Sequence, residues 1–347
     1  MPANICARLL LLAICSVVVS ANVPPCAFRS TVPSVSLRNA ARPGLVMPIV
    51  GLGTGHCNPV EGGECMNNET AYKATLDFLR AGGRRIDTAI TYHDQTGIGK
   101  AIKDSGVARA DIFITSKCGP GFPLGYQDSL DQMQTSLKQL DTTYVDLMLI
   151  HWPGPPGNSS DPDCQPPSIN YTLCRLNTWR AMEKIFTDLG SAHAIGVSNY
   201  ETRHLDEIVL TPGLLHPAVN QVEFHPYWEE MDLKAYCDEH NITFNGYSPL
   251  AANDWAAYYH QWPRSLLNET TLTEITAAHG RTPAQVALRH QVQLGLVINP
   301  RSQNFAHMKE NNEIFDFVLS NAEMDKITNI PPPPQHPKVF EDPHQIP

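Results

Sequence analysis

Eight short apolar runs, each separated from the next by a longer amphipathic stretch, constrain this chain more than any other feature. They are Met47 to Leu52, Arg85 to Ala89, Ile112 to Ser116, Tyr144 to His151, Ala194 to Ser198, Val219 to Phe224, Thr243 to Ser248 and Gly295 to Asn299. Strand-length runs alternating with helical stretches are the pattern of repeated βα units around a parallel sheet. No stretch reads as an edge strand or a reversal point, so eight repeats favour an α/β (β/α)8 TIM barrel over an open doubly wound sheet. An earlier stretch, Val35-Ser36-Leu37 with a turn at Ala41-Arg42-Pro43-Gly44, is expected to form an N-terminal β-hairpin that closes the barrel bottom. Asn68-Glu69-Thr70 opens a helix running to Ala81-Gly82-Gly83, and Thr282-Pro283 opens another.

With 347 residues, 42% hydrophobic and 17% charged, the chain can bury one large core. The net charge of −10 and the absence of any basic block offer no footprint for nucleic acid or an anionic membrane surface. Arg8, the apolar run Leu9 to Val19 and the small residues Val19-Ser20-Ala21 read as a secretory signal peptide over residues 1–21, with cleavage before Asn22. An uncleaved anchor is the alternative, but the run is short for a span and the polar, Pro-containing Asn22 to Pro25 follows at once. The division expected is signal 1–21, linker 22–34, barrel 35–330 and a Pro-rich tail 331–347 that drapes over the barrel surface.

Two features agree with export to the secretory pathway or the extracellular space. N-x-Ser/Thr sequons stand at Asn68, Asn158, Asn170, Asn241 and Asn268, expected in loops or at element ends as glycosylation sites. Two locally spaced cysteine pairs, Cys57 with Cys65 and Cys164 with Cys174, lie in loop-like sequence where disulfides suit an oxidising compartment, against four unrelated thiols as the alternative. Cys26, Cys118 and Cys237 remain, leaving at least one free thiol or an intermolecular bond; Cys237 reads as core.

In a barrel of this kind the functional groups lie at the C-terminal strand ends. Strand two leads from Asp87 to Tyr92, strand three ends at Lys117, and strand four ends at His151-Trp152-Pro153. Reduction of a carbonyl needs a hydride at carbon and a proton at oxygen, and a phenol is a poor acid unless its anion is stabilised. Lys117 beside Tyr92 is expected to lower the phenol pKa, Asp87 to hold Lys117 charged, and His151, as a neutral imidazole, to donate to the substrate oxygen. Tyr92, His151 and Trp152 line the expected substrate pocket. Taken singly, these residues have plainer readings as an ion pair, a core histidine and rim packing.

Their combination resembles the aldo-keto reductase family. The likeness runs from Gly83-Arg84-Arg85-Ile86-Asp87-Thr88-Ala89 with Tyr92, through Tyr144 to Pro153, Ile195-Gly196-Val197-Ser198-Asn199-Tyr200, Asn220 to Pro226 and Tyr247-Ser248-Pro249-Leu250, to Pro300-Arg301-Ser302 with Glu310-Asn311. It implies a NAD(P)H-dependent reductase of a small-molecule aldehyde or ketone. Ser198, Asn199 and Gln221 would then hold the nicotinamide carboxamide, and Tyr247 would stack on its ring, beside Ser248 and Leu250. Gly53, Thr54 and Asp87 would lie at the same mouth, Asp87 reaching the ribose, with Arg301, Ser302, His307, Glu310 and Asn311 on the adenosine half. Gly51-Leu52-Gly53-Thr54-Gly55 belongs to strand one and its exit and is weak as a dinucleotide motif.

The sequence departs from the family at several points. Around the 2′-phosphate, Arg301 stands where a Lys is usual and His307 where an Arg is usual. NADPH is therefore expected as cofactor with a weakened preference, and NADH as the alternative. Gly55 and Gly119 stand where many relatives line the pocket with Trp, implying a wider mouth and a bulky or polar carbonyl such as a sugar or oxo-acid. A monomer without a membrane span or bound metal is expected. The alternative function is a secreted non-catalytic barrel acting as a binding or structural protein. A metal hydrolase is a weaker reading, since His151, His193, His225 and His307 are dispersed.

Overall fold

The computed structural model describes residues 32–55, 66–154, 157–251, 265–334 and 338–347. The proposed signal peptide, Cys26, Cys57 and Cys65 fall outside these residues. Eight strands form one sheet: β3 (Leu52–Gly53), β4 (Arg85–Asp87), β5 (Phe113–Cys118), β6 (Leu147–Ile150), β7 (Ile195–Ser198), β8 (Val219–Glu223), β9 (Thr243–Tyr247) and β10 (Val297–Asn299). Neighbours in space are neighbours in sequence, and every pairing is parallel. The first strand meets the last through a parallel bridge of Val50 with Ile298, where Gly51 N donates to Ile298 O at 3.0 Å and Ile298 N to Ile49 O at 2.9 Å. The expected barrel is formed.

Arg85 pins this seam from within. Its guanidinium is fully buried and donates to Ile49 O (3.0 Å), Ile298 O (2.7 Å) and Asn299 Oδ1 (2.5 Å). A glycine is required opposite, because a Cβ on Gly51 would lie 2.7 Å from Arg85 Cζ.

The hairpin corrects the sequence reading in one respect. The run Met47 to Leu52 is not a single strand: β1 (Ser34–Ser36) pairs antiparallel with β2 (Val46–Pro48), and only Leu52 and Gly53 enter the barrel strand. Leu37 and Met47 are thereby freed to pack on Phe113, Leu147, Ala194, Val219 and Val297, residues at or next to the strand starts, which plugs the bottom of the barrel. Burial of such apolar surface contributes about 25 cal/mol per Å², so the hairpin stabilises the end opposite the site.

Helices begin where short polar side chains can accept otherwise unmatched amide protons. Asn67 caps α1 (Asn68–Arg80), and Gly82 at φ 90° follows its end. Helices α2 (Gln95–Ser105), α3 (Tyr126–Leu140) and α4 (Tyr171–Thr187) follow β4, β5 and β6. Thr282 caps Pro283–Gln293 with a reciprocal bond from Gln285. Cys164 and Cys174 form a disulfide that ties the loop after β6 to the first turn of α4, while Cys118 and Cys237 are buried free thiols.

The tail is held by specific polar contacts. Glu223 accepts from Val339 N and Phe340 N, Arg175 donates to Pro347 O at 2.8 Å, and Arg203 donates to His344 O at 2.8 Å. Phe340 meets the Tyr247 ring edge-on at 5.7 Å between centroids. Among the described residues, no helix is long and apolar enough to cross a membrane.

Candidate active site

Three successive strands deliver Asp87, Lys117 and His151 to one end of the barrel, because each stands at or just past the C-terminal end of β4, β5 or β6. Tyr92 closes a single 3-10 turn after β4, where Tyr92 N donates to Ala89 O at 3.1 Å. Lys117 is fully buried. Its ammonium donates to Asp87 Oδ1 (2.5 Å), Thr88 O (2.9 Å) and Tyr92 Oη (3.4 Å), so each of its three protons has an acceptor. Burial opposes that charge, but Asp87 and Tyr92 outweigh it, and the lysine pKa rises above its ordinary value.

The phenol behaves differently from the sequence expectation. Lys117 does pull the Tyr92 pKa down, but burial is the larger effect, and Asp87 and Asp94 add to it, so the net direction is upward. Tyr92 is therefore firmly protonated at neutral pH, as a proton donor must be, and the neighbouring ammonium acts on the anion formed when the proton leaves.

His151 also differs. Its Nδ1 lies 3.1 Å from Gly119 O, and since a carbonyl only accepts, Nδ1 carries the hydrogen. A neutral ring then has an accepting Nε2, which faces Tyr92 Oη at 3.2 Å. Donation from Nε2 to a substrate oxygen, the role expected from sequence, needs the other neutral tautomer or the doubly protonated ring. Asn199 Nδ2 donates to His151 O at 3.0 Å and fixes the backbone of the same residue.

The expected carboxamide-binding residues gather beside this cluster. Gln221 Nε2 donates to Asp87 Oδ2 at 2.6 Å, Ser198 Oγ to Gln221 O at 2.7 Å, and Tyr247 Oη to Asn199 Oδ1 at 2.8 Å. Amide and hydroxyl groups beside an aromatic ring form a donor and acceptor set that suits a carboxamide on a planar heterocycle. Gly53 N donates to Pro300 O, and Thr54 donates through both N and Oγ1 to the main-chain carbonyl of Asp87, holding the backbone of that residue in place. Ser248, at φ 51°, turns the chain after β9, and Leu250 packs partly buried against the core. Arg301 and His307 are exposed after β10, Ser302 and Glu310 are half-buried and Asn311 is buried, the last three residues lying on or next to helix Phe305–Asn312. Trp152 is half-buried at the end of β6.

Gly55 does not simply widen the mouth. A Cβ there would sit 2.4 Å from Tyr92 Cζ and 2.7 Å from its hydroxyl, so the phenol fills the space a side chain would take. Gly119, at φ 62°, supplies the carbonyl that orients His151. The roles of Thr88 and Gly119 escaped sequence reading because both act through backbone carbonyls, which residue type does not reveal. Among the described residues, no group of three or more His, Cys, Asp or Glu could hold a metal ion.

Residues 49–331 match the family model described as the aldo/keto reductase family. The chain belongs to the aldo/keto reductase family. This aldo/keto reductase is 39% identical to a glyoxal reductase of Bacillus subtilis over 284 residues, covering 82% of this chain and 89% of the relative. It is 34% identical to a 9,11-endoperoxide prostaglandin H2 reductase of Trypanosoma cruzi over 296 residues, covering 85% and 90%. Among solved structures, an aldo-keto reductase of Bombyx mori in complex with NADP superposes with a TM-score of 0.73 at 29% identity, covering 86% of this chain and 92% of that one. An aldo/keto reductase from Brucella melitensis gives 0.70 at 35% identity, covering 86% and 99%.

Proposed function

We propose that this aldo/keto reductase reduces an aldehyde or ketone to the alcohol with NADPH, using Tyr92 as proton donor. The observation that carries this is the buried chain Asp87, Lys117, Tyr92, His151, in which the ammonium and the imidazole both reach the one phenol oxygen. Bound NADPH supplies a hydride to the carbonyl carbon. Gln221 has given its amide protons' side to Asp87, so its Oε1 is the atom left to accept from the carboxamide, with Ser198 and Asn199 alongside. Tyr247 offers the ring face. Arg301 and His307 are exposed near the start of helix Phe305–Asn312, where they can meet a 2′-phosphate.

As charge develops on the substrate oxygen, the Tyr92 O–H bond breaks, its proton goes to that oxygen, and Lys117 stabilises the phenolate left behind. His151, whose Nε2 lies 3.2 Å from Tyr92 Oη, orients the substrate oxygen beside the phenol. A titration with NADPH and with NADH by protein fluorescence, followed by 340 nm turnover with a panel of aldehydes, tests the assignment. Failure to bind either nucleotide would leave the non-catalytic binding protein as the better reading.

We further propose entry into the secretory pathway. Supporting this are the leader-like N-terminal sequence, the Cys164–Cys174 bridge, and the exposure of all five sequon asparagines, Asn68, Asn158, Asn170, Asn241 and Asn268. Expression in secreting eukaryotic cells should give medium-borne protein whose gel mobility increases on endoglycosidase treatment. Retention inside the cell with no mobility change would refute it.

A further inference from the structure

Nothing in the sequence marks Asp94 as part of the site, yet it is fully buried two residues beyond Tyr92, at the N-terminal end of α2. One carboxylate oxygen, Oδ1, accepts from Thr88 Oγ1 at 2.6 Å. The other, Oδ2, has no hydrogen-bond partner among the described residues. The Thr54 hydroxyl lies close by, but its proton goes to Asp87 O at 3.1 Å. Thr88 thus serves two masters: its hydroxyl holds Asp94, and its carbonyl accepts from Lys117 at 2.9 Å. The ionisable groups acting on or beside this carboxyl are Lys117 from β5, Tyr92 from the turn after β4, and Asp87 from β4.

A buried carboxylate with one hydroxyl donor is poorly compensated for the water it has lost. Burial accordingly pushes the Asp94 carboxyl up to about 6, against the opposing pull of the Thr88 hydroxyl and the Lys117 charge. Its charge therefore changes within a range an enzyme commonly meets. When Asp94 is neutral, Lys117 is balanced by Asp87 alone, and a phenolate on Tyr92 forms in a locally neutral setting. An ionised Asp94 adds a second negative charge and opposes that phenolate, in agreement with its upward effect on the Tyr92 pKa.

We propose that Asp94 is a positioning residue of the reductase, acting through Thr88 and Lys117 to set how readily Tyr92 releases its proton to the substrate. The inference rests on the reductase reading. The proton itself takes the route already described, from the Tyr92 oxygen to the carbonyl oxygen as hydride reaches carbon. Asp94 is not consumed in that transfer.

The test is the pH dependence of single-turnover aldehyde reduction by the full-length protein with NADPH. In the wild type the rate should fall as pH rises through about 6, as Asp94 ionises. Asp94→Asn, permanently neutral, should lose that inflection and exceed the wild type roughly three- to tenfold at pH 7.5, the span expected for about a unit of change in a general acid. NADPH affinity should stay the same. If a folded Asp94→Asn protein gives a profile superimposable on the wild type, the proposal fails. Thr88→Val covers the case in which Asp94→Asn does not fold: it removes a bond that favours the carboxylate and should move the inflection to higher pH, and an unmoved inflection overturns the idea. Absence of turnover in the wild type would instead count against the reductase reading and remove the proposal with it.

Discussion

Gln221 donates its side-chain amide to Asp87 Oδ2 at 2.6 Å, spanning the barrel from β8 to β4, while the other Asp87 oxygen takes the Lys117 ammonium at 2.5 Å. Both oxygens of the carboxylate are thus engaged, one from the neighbouring strand β5 and one from across the barrel. Gln221→Leu leaves Oδ2 buried without that donor, which costs about 1–3 kcal/mol. Chemical denaturation should show a loss of that size, and NADPH affinity should fall as well because Oε1 is removed. A variant as stable as the wild type with unchanged affinity would contradict both roles.

Tyr92→Phe removes the proton donor and leaves the ring, its contact with Gly55 and the Lys117–Asp87 pair in place. Single-turnover reduction should drop by about 10²–10⁴, with the fluorescence titration for NADPH close to wild type. Equal loss of turnover and binding would show that the phenol serves cofactor placement instead.

His307→Arg puts a permanently charged, forked donor on the exposed first turn of helix Phe305–Asn312. An added charge-assisted hydrogen bond to phosphate is worth about 1 kcal/mol at such a site, so NADPH should bind roughly fivefold tighter. NADH lacks the phosphate and should be unaffected. An unchanged ratio of the two dissociation constants would remove His307 from the phosphate-binding set.

The Cys164–Cys174 bridge closes a loop of sequence separation 10. Chain-entropy arguments assign such a short loop about 3 kcal/mol, through restriction of the unfolded state. Cys164→Ser combined with Cys174→Ser should lower stability by that order, and the melting temperature of the wild type should fall to the same value under reducing conditions. A wild type insensitive to reductant, with both thiols titratable, would show the bridge does not form in solution.

Much of this molecule was legible in one dimension. The eight βα repeats follow from hydrophobic periodicity, which is local, and the four polar residues at consecutive strand ends follow from the rule that strand C-termini share one face. What the sequence could not give was the sign of competing long-range effects. It set Lys117 beside Tyr92 but left out the burial that raises the phenol pKa. It assigned His151 a neutral donor role without the carbonyl of Gly119, which favours hydrogen on Nδ1. It read Gly55 as empty space, whereas the Tyr92 ring lies there. The run Met47 to Leu52 looked like one strand because apolarity alone does not say that Val46–Pro48 will pair backwards with Ser34–Ser36.

Pattern and residue type by themselves determined the barrel and which polar groups gather at its C-terminal end, since both depend on spacing along the chain. Only the tertiary structure decided their protonation, through burial, backbone carbonyls and charges brought close by residues distant in sequence. Gln221, 134 positions from Asp87, belongs to that second class. So, for a different reason, does Asp94: it is near Tyr92 in sequence, but its meaning comes from being sealed away from water beside Thr88.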